Sequence, residues 1–342
     1  MVNKIAIITG VSGQDGSYLS KLLLKKNYKV IGIERYNSQN QRWRHKFLNI
    51  EGKITYKSSD LNDELSIRNL IKKYKPNEIY NLASHSFVKS SFENPLNVID
   101  TNAKSVVRIL ELIKEISPKT KFYQASSSEM FGGNSNKNLS LSSHFNPKSP
   151  YAYSKLMAHF ATKNYRDAFG LFACSGVLFN HESVLRGNEY VTKKIIQSLV
   201  KYKFDSKNFK ILKLGNLYAK RDWGSAEEYV YGMWKILQMR KPDDYIIGTG
   251  YIISVKDFIN FSLDYLDIHN YYWKGKGLNE KLICKDKIII SIEQKFFRKI
   301  EVNRSKCDMN ETYKKLKWKP KIYFKKLIKK LIDDEKSLQN LI

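Results

Sequence analysis

Lys4-Ile-Ala-Ile-Ile-Thr9, followed at once by Gly10-Val-Ser-Gly13-Gln-Asp-Gly16, is an apolar run that ends on three evenly spaced glycines. A short apolar run bounded by glycine reads as a buried strand. From Ser17 to Lys26, Tyr18, Leu19, Leu22 and Leu23 recur at helical spacing. Strand, glycine turn and helix in that order open a βαβ unit. In the G-x-x-G-x-x-G spacing one glycine permits a tight turn, one lets backbone approach a pyrophosphate and one allows close helix packing. The helix N-terminus behind the turn favours an anion. The stretch therefore predicts a dinucleotide site built from Gly10, Ser12, Gly13, Gln14, Asp15 and Gly16.

Further strands are expected at Val30–Ile33, Ile54–Lys57, Glu78–Leu82, Lys121–Ala125 and Leu171–Leu178. Helices are expected at Leu65–Tyr74, Val106–Ile116 and Ala152–Ala168. Such alternation predicts an α/β fold, a Rossmann-type doubly wound parallel sheet covered on both faces. Past about residue 180 the alternation weakens and polar loops multiply, without a repeat or linker. That half is expected to form a smaller mixed α/β substrate-binding cap over the strands' carboxyl ends, where ligands bind. The expected division gives residues 1–180 with about 211–250 to the dinucleotide-binding domain, and about 181–210 with 251–342 to the cap.

The 342 residues include 60 Lys plus Arg against 33 Asp plus Glu, a net charge of +27, and 42% are hydrophobic, enough for a sizeable core. The lysines are dispersed, as in Lys25-Lys26, Lys72-Lys73, Lys193-Lys194 and Lys314-Lys315. With no arginine-rich tail or helix-turn-helix pattern, a solvated surface is expected rather than a nucleic-acid partner. A basic nucleic-acid-binding protein on a degenerate Rossmann fold is the non-enzyme alternative. No run of 18 apolar residues and no small-residue cleavage site occur, so neither a membrane partner nor a signal peptide is expected. Cys174, Cys284 and Cys307 are too scattered for a disulfide framework, which points to a reducing, cytoplasmic setting. No metal site is expected.

Glu34 and Arg35 stand where the second strand ends. An acid there accepts bonds from the adenosine ribose and repels a 2′-phosphate, whereas an arginine pairs with that phosphate. Asp60-Leu61, after the third strand, lies by the adenine, or Asp60 serves as a helix cap. Tyr151-Ala-Tyr-Ser-Lys155 puts a phenol and an ammonium on one helix face, where the lysine is expected to lower the phenol's pKa. A phenolate takes the proton of a sugar hydroxyl as hydride leaves the same carbon. Ser126-Ser127-Ser128-Glu129 ends the fifth strand and adds hydroxyls and a carboxylate to the same cavity. Oxidation at C4 of a hexose acidifies C5–H, so a carboxylate near C5 can remove that proton and expel water from C6.

The glycine turn resembles that of the short-chain dehydrogenase/reductases. Thr9-Gly-Val-Ser-Gly-Gln-Asp-Gly-Ser-Tyr-Leu19, Tyr123-Gln-Ala-Ser-Ser-Ser-Glu129, Ser149-Pro-Tyr-Ala-Tyr-Ser-Lys155 and Leu178-Phe-Asn-His-Glu-Ser183 resemble the GDP-mannose 4,6-dehydratases of that superfamily. So do Val191-Thr-Lys-Lys194, Leu214-Gly-Asn-Leu-Tyr-Ala-Lys-Arg-Asp-Trp-Gly224 and Leu316-Lys-Trp-Lys-Pro320. The likeness runs from about residue 4 to 332 and is thinnest between 265 and 295. It implies a hydro-lyase that binds a GDP-sugar and a recycled NADP, assembled as a homodimer or homotetramer. On that pattern Ser127 stands at the family's threonine, Glu129 is the C5 base, and Tyr151 and Lys155 are the oxidising pair. Leu82, Ala83, Ser84, Ser86, His181 and Arg186 fall near the cofactor. Ser86, Asn180, Val191, Lys193, Leu214, Gly215, Lys220, Arg221, Arg298 and Glu301 fall at the nucleotide-sugar.

The chain departs from the family in places. Arg35-Tyr36 replaces a paired arginine and follows Glu34, which sets NAD against NADP; the resemblance favours NADP, with Arg35 over the adenine and Glu34 turned away. Leu82-Ala-Ser-His-Ser-Phe-Val88 replaces Leu-Gly-Ala-Gln-Ser-His-Val, and Val184-Leu185 replaces Pro-Arg before Arg186. GDP-manno-heptose and GDP-N-acetylglucosamine are therefore alternative substrates, and 4-epimerisation or 4-dehydrogenation is an alternative reaction.

Overall fold

The computed structural model describes residues 4–36, 42–132 and 138–339. Seven strands build the central sheet: β1 (Ile5–Thr9), β2 (Lys29–Glu34), β3 (Thr55–Ser58), β4 (Glu78–Asn81), β5 (Lys121–Ser127), β6 (Ala173–Leu178) and β7 (Asp244–Ile247). Their order is β7-β6-β5-β4-β1-β2-β3, with every neighbouring pair parallel. The order reverses between β1 and β4, and a doubly wound sheet opens a ligand crevice at such a point.

Alternating residues of β1 supply both cores. Ala6 and Ile8 pack with Leu19 and Leu23 of α1 (Gln14–Lys25). Ile7 packs on the opposite face with Val106, Ile109, Leu110 and Ile113. That face carries α2 (Glu64–Tyr74), α3 (Ser105–Ile116) and α4 (Pro150–Phe169). The i, i+3, i+4, i+7 spacing of the four α3 residues gives one apolar stripe, which only the sheet can bury. α4 begins at Ser149, whose hydroxyl accepts the Ala152 amide at 3.1 Å, and ends at Gly170, held at φ 68°. Both signals are in the sequence, a serine before proline and a glycine after the last periodic residue.

The cap has its own core from α5 (Val191–Phe204), α7 (Val255–Tyr265), α8 (Phe324–Leu338) and a four-stranded mixed sheet. Leu212–Leu214 joins this sheet, parallel to Lys287–Ile292. The chain's return to the central sheet therefore begins beyond it, rather than at about 211, with α6 (Ala226–Leu237) beside α1 and then β7. β7 is docked by Asp244, which receives both terminal guanidinium nitrogens of Arg166 at 2.9 and 2.8 Å and the Ser175 amide at 2.9 Å. Among the described residues no helix is long and apolar enough to cross a membrane.

Candidate active site

The carboxyl ends of the central strands and the underside of the cap enclose one cleft of about 1530 Å³. Ordinary small-molecule pockets span roughly 300–1,000 Å³. The excess suits two ligands laid end to end.

At one end lies the phosphate turn. Gly10 has φ +65° and sits so close to β4's exit that an added Cβ would lie 2.8 Å from the Ala83 Cα. Gly13 caps α1 without any side-chain bond, and a Cβ there would meet only the Gly10 carbonyl, at 3.2 Å. Bare amides at a helix N-terminus beside an open glycine surface form a cradle that fits a pyrophosphate. Thr9 fixes the cradle's far wall. Its hydroxyl donates to Asn81 Oδ1 at 2.7 Å and accepts the Leu82 and Ala83 amides at 3.1 Å. Ser12, Gln14, Asp15, Gly16, Leu82, Ala83, Ser84 and Ser86 share this lining.

Asp15 and His181 bind each other across the turn, Nε2 to Oδ2 at 2.8 Å. The Phe179 carbonyl, 2.8 Å from Nδ1, can only accept, so that nitrogen carries a proton. The ionised Asp15 also only accepts, so the two contacts together favour the ring with both nitrogens protonated. Burial pulls the His181 pKa down, yet the charge of Asp15 and the hydrogen bonds to Asp15 and Phe179 together outweigh it, and the net direction is up. Asp15 is held low in turn, its own burial being overcome by His181 and Arg186.

At the adenosine end Glu34 and Arg35 both line the cleft. Glu34 is buried and takes the Arg42 guanidinium, with Nε at 3.0 Å. Arg42 also stacks on Tyr56, 4.0 Å from the ring centroid. Glu34 thus faces the cleft as half of an ion pair instead of turning away. Asp60 and Leu61 line the same end. Asp60 accepts the Asn62 amide at 2.8 Å and makes a turn, and the cap of α2 is Asp63.

The reacting groups come from β5 and α4. Ser127, the last residue of β5, accepts the Glu129 amide at 3.2 Å and stands beside the Tyr151 phenol, whose anionic form it favours. Lys155 Nζ donates to the Ala125 carbonyl at 2.9 Å and lies 5.9 Å from the Tyr151 ring centroid. The expected lowering of the phenol by this lysine is not what the protein shows. Burial pushes Tyr151 well above its ordinary value, against a smaller opposing pull from Ser127. Burial also brings Lys155 down to about 8. Desolvation dominates because both groups are enclosed.

Glu129 faces Arg298, whose Nη1 lies 3.1 and 3.3 Å from its two carboxylate oxygens. Burial would raise this carboxyl, but Arg298 and Arg221 hold it below the usual range. Arg221 is set by its strand, Lys220–Arg221, which runs between Ile253–Ser254 and Arg304–Ser305. Its Nη2 lies 3.5 Å from Glu301 Oε1, and burial next to Arg298 lowers it to about 10. Two adjacent guanidiniums suit a diphosphate.

Asn180, His181, Arg186, Val191, Leu214, Gly215, Arg221, Arg298 and Glu301 all line the cleft. Lys193 and Lys220 do not. Lys193 is buried behind the wall, donating to the Val184 carbonyl at 2.7 Å and paired with buried Glu335 of α8. Lys220 alternates to the opposite side of its strand and is exposed. Their neighbours Lys194 and Arg221 reach the cleft.

Three residues that the sequence reading passed over line the site or hold its lining residues. Arg42 is one. Tyr190, just before α5, lines the cleft, bonds the Ser86 hydroxyl at 2.8 Å and carries the Arg186 guanidinium 3.6 Å over its ring. Asn102 lies in a π-helical turn, Asp100–Lys104, at the start of α3. Its Oδ1 accepts the Ser84 hydroxyl at 3.0 Å and the His85 amide at 2.9 Å, and its Nδ2 donates to Ser154 of α4 at 3.1 Å. Only the basic Arg42-Trp43-Arg44 after an acidic strand end was a signal available in advance. Among the described residues no three His, Cys, Asp or Glu side chains converge as a metal site.

The chain's fold is shared with nucleotide-sugar enzymes of low sequence identity. It superposes on a UDP-glucose 4-epimerase from Thermotoga maritima with a TM-score of 0.82 at 17% identity, covering 98% of this chain and 99% of that one. A dTDP-glucose 4,6-dehydratase from Streptomyces venezuelae gives 0.82 at 17%, covering 98% of each. Sequence relatives are far nearer. GDP-mannose 4,6 dehydratase 1 of Arabidopsis thaliana is 40% identical, over 98% of this chain and 90% of that protein. The Homo sapiens GDP-mannose 4,6 dehydratase is 38% identical, over 96% and 90%. The family model described as GDP-mannose 4,6 dehydratase matches residues 7–331. By that match and those identities, the chain belongs to the GDP-mannose 4,6-dehydratase family.

Proposed function

We propose that the protein removes water from GDP-mannose, giving the GDP-4-keto-6-deoxy sugar. The observation that carries this is Glu129, a carboxylate on the same cleft wall as Tyr151 and Lys155. Oxidation or epimerisation at C4 alone needs no base at C5.

Tyr151 acts as the phenolate, a form that the charges of Lys155 and of a bound oxidised nicotinamide would favour against its burial, and takes the proton of the C4 hydroxyl. A bound nicotinamide supplies the hydride acceptor for C4 and the donor for C6, so no reducing equivalent is consumed. Glu129 removes the C5 proton, made acidic by the new carbonyl, and delivers it to the C6 hydroxyl, which departs as water; as hydride enters C6, C5 regains a proton through Glu129 from solvent, balanced by the C4 proton that Tyr151 releases. Arg221 and Arg298 hold the diphosphate, and Asn180, Leu214, Gly215 and Glu301 complete the nucleotide-sugar end. The glycine turn and α1 hold the dinucleotide, with His181 keeping Asp15 in place.

NADP is the cofactor in this reading. Arg42 neutralises Glu34, which removes the repulsion a lone carboxylate would exert on a 2′-phosphate, and Arg35 supplies the pairing cation. A cytoplasmic homodimer or homotetramer belongs to the same reading.

Incubation with GDP-mannose, GDP-manno-heptose and GDP-N-acetylglucosamine, read by mass, tests the proposal. Loss of one water from GDP-mannose in preference to the others supports it. Water loss from only another GDP-sugar reassigns the substrate, and isomerisation without mass change overturns the reaction.

A further inference from the structure

Two tasks fall on one guanidinium. Arg298 and its neighbour Arg221 are the guanidiniums beside Glu129 and suit a substrate diphosphate, yet Arg298 Nη1 already spans both oxygens of Glu129. One guanidinium nitrogen set between both oxygens takes part of the carboxylate's lone-pair capacity and makes it a weaker base, and a phosphate would compete for the same cation. The segment that carries Arg298 lies across the cleft. Lys89 Nζ donates to the Lys295 carbonyl at 3.1 Å, and Lys299 Nζ sits 5.3 Å from the centre of the Phe92 ring on the opposite wall. The site thus holds Arg221, Arg298, Glu129 and Glu301 in alternating charge, with Tyr151 beyond. A diphosphate brings more negative charge than one carboxylate and binds guanidinium in a bidentate way.

We propose that Arg298 is a positioning residue that holds Glu129 in check until the substrate's diphosphate draws the guanidinium away. The inference rests on the GDP-sugar reading. It makes release of the C5 base a consequence of nucleotide binding, so the base is exposed only beneath a bound substrate.

GDP alone tests this without any turnover. In protein carrying carbon-13 at the glutamate carboxyls, the Glu129 signal is assigned by its disappearance in Glu129→Gln and titrated with and without GDP. The groups facing it are Arg298, Arg221 and Tyr151, with Glu301 behind Arg221. Loss of an adjacent guanidinium raises a carboxyl by about one to three pH units. Saturating GDP should therefore raise the Glu129 midpoint by about one pH unit or more. In Arg298→Gln the midpoint should start high, and GDP should move it by less than half as much. Arg298→Lys, which keeps the charge, should restore part of the response. GDP that binds by calorimetry yet leaves the wild-type midpoint in place overturns the inference and spares the substrate reading. Failure of GDP to bind at all overturns the substrate reading, and the inference with it.

Discussion

The Arg42 guanidinium closes on the carboxylate of Glu34, eight residues earlier in the chain, where β2 delivers that acid to the adenosine end of the cleft. On the NADP reading, the pair neutralises an acid that would otherwise select NAD. Arg42→Ala should leave Glu34 uncompensated and shift preference from NADP toward NAD by about tenfold or more, since a like charge that close costs roughly 1.4 kcal/mol or more. Dissociation constants for the two cofactors would show it. An unchanged ratio would mean that Glu34 takes no part in the choice.

In the proposed reaction Glu129→Gln removes the C5 base, and with it the carboxylate that pairs with Arg298. Water loss should fall at least about a hundredfold, the scale of general-base catalysis, while oxidation at C4 persists. Reduced nicotinamide should then accumulate on mixing with GDP-mannose, visible by its absorbance. Dehydration at a near wild-type rate would remove Glu129 from its role.

Lys155 is a charge kept at a site that disfavours it. Burial lowers it from 10.5 to about 8. A lowered lysine weakens the fold below pH 8, and stability recovers as the pH rises from about 8 to 10.5, where the unfolded chain binds the extra proton. Lys155→Met should therefore be more stable at pH 7, by on the order of 1–2 kcal/mol after losing the bond to Ala125. The gain should shrink toward pH 10, and turnover should be lost. Urea unfolding at the two pH values decides it; a variant less stable at pH 7 would contradict the burial argument.

The Asp15–His181 pair predicts a signature of opposite slope. His181 is raised from 6.5, so its contribution is complete below that pH and is lost as pH climbs through the raised value. Asp15 is lowered from 3.8, so its share is complete above that pH and is lost as pH falls through the lowered value. The stability difference between wild type and His181→Gln should be widest between about pH 4 and 6.5 and narrow by pH 9. A difference independent of pH would mean that the ring is neutral.

Lys193 serves the fold and not the ligand. Removing one partner of a buried ion pair costs about 3–5 kcal/mol, whereas replacing both with apolar groups is often tolerated. Lys193→Met should be strongly destabilised, and the double variant Lys193→Met, Glu335→Leu should recover stability with GDP affinity within about twofold of wild type. Weak GDP binding by a well-folded double variant would return Lys193 to the nucleotide site.

Much of this molecule could be read along the chain because its key signals are local. β1, β2 and β4 to β6 are apolar runs bounded by turns, and Gly10 to Gly16, Ser127 to Glu129 and Tyr151 to Lys155 each act within one turn. β7 was missed because Asp244–Ile247 is short and docks through Arg166, a partner 78 residues away. Lys193 was misread for the same reason: Glu335, 142 residues on, decides its role, and in so basic a chain a lysine at a motif position carries little information. Arg42 and Asn102 act through a loop and a helical irregularity, which neither period of regular structure reveals.

That irregularity constrains how the protein can change length. The π-helical turn at Asp100–Lys104 takes up an added residue within a helix that otherwise advances 100° per residue. Upstream of Ser105 the turn aims Asn102 at Ser84 and His85, and downstream it aims Val106, Ile109 and Ile113 at the sheet. Deleting one residue there would restore an ordinary helix and leave the two halves about a quarter-turn out of phase, so either the loop after β4 or the apolar stripe would lose its address. A substitution at an exposed position of this turn leaves the count of residues intact, whereas a one-residue deletion changes the phase of everything on one side of it.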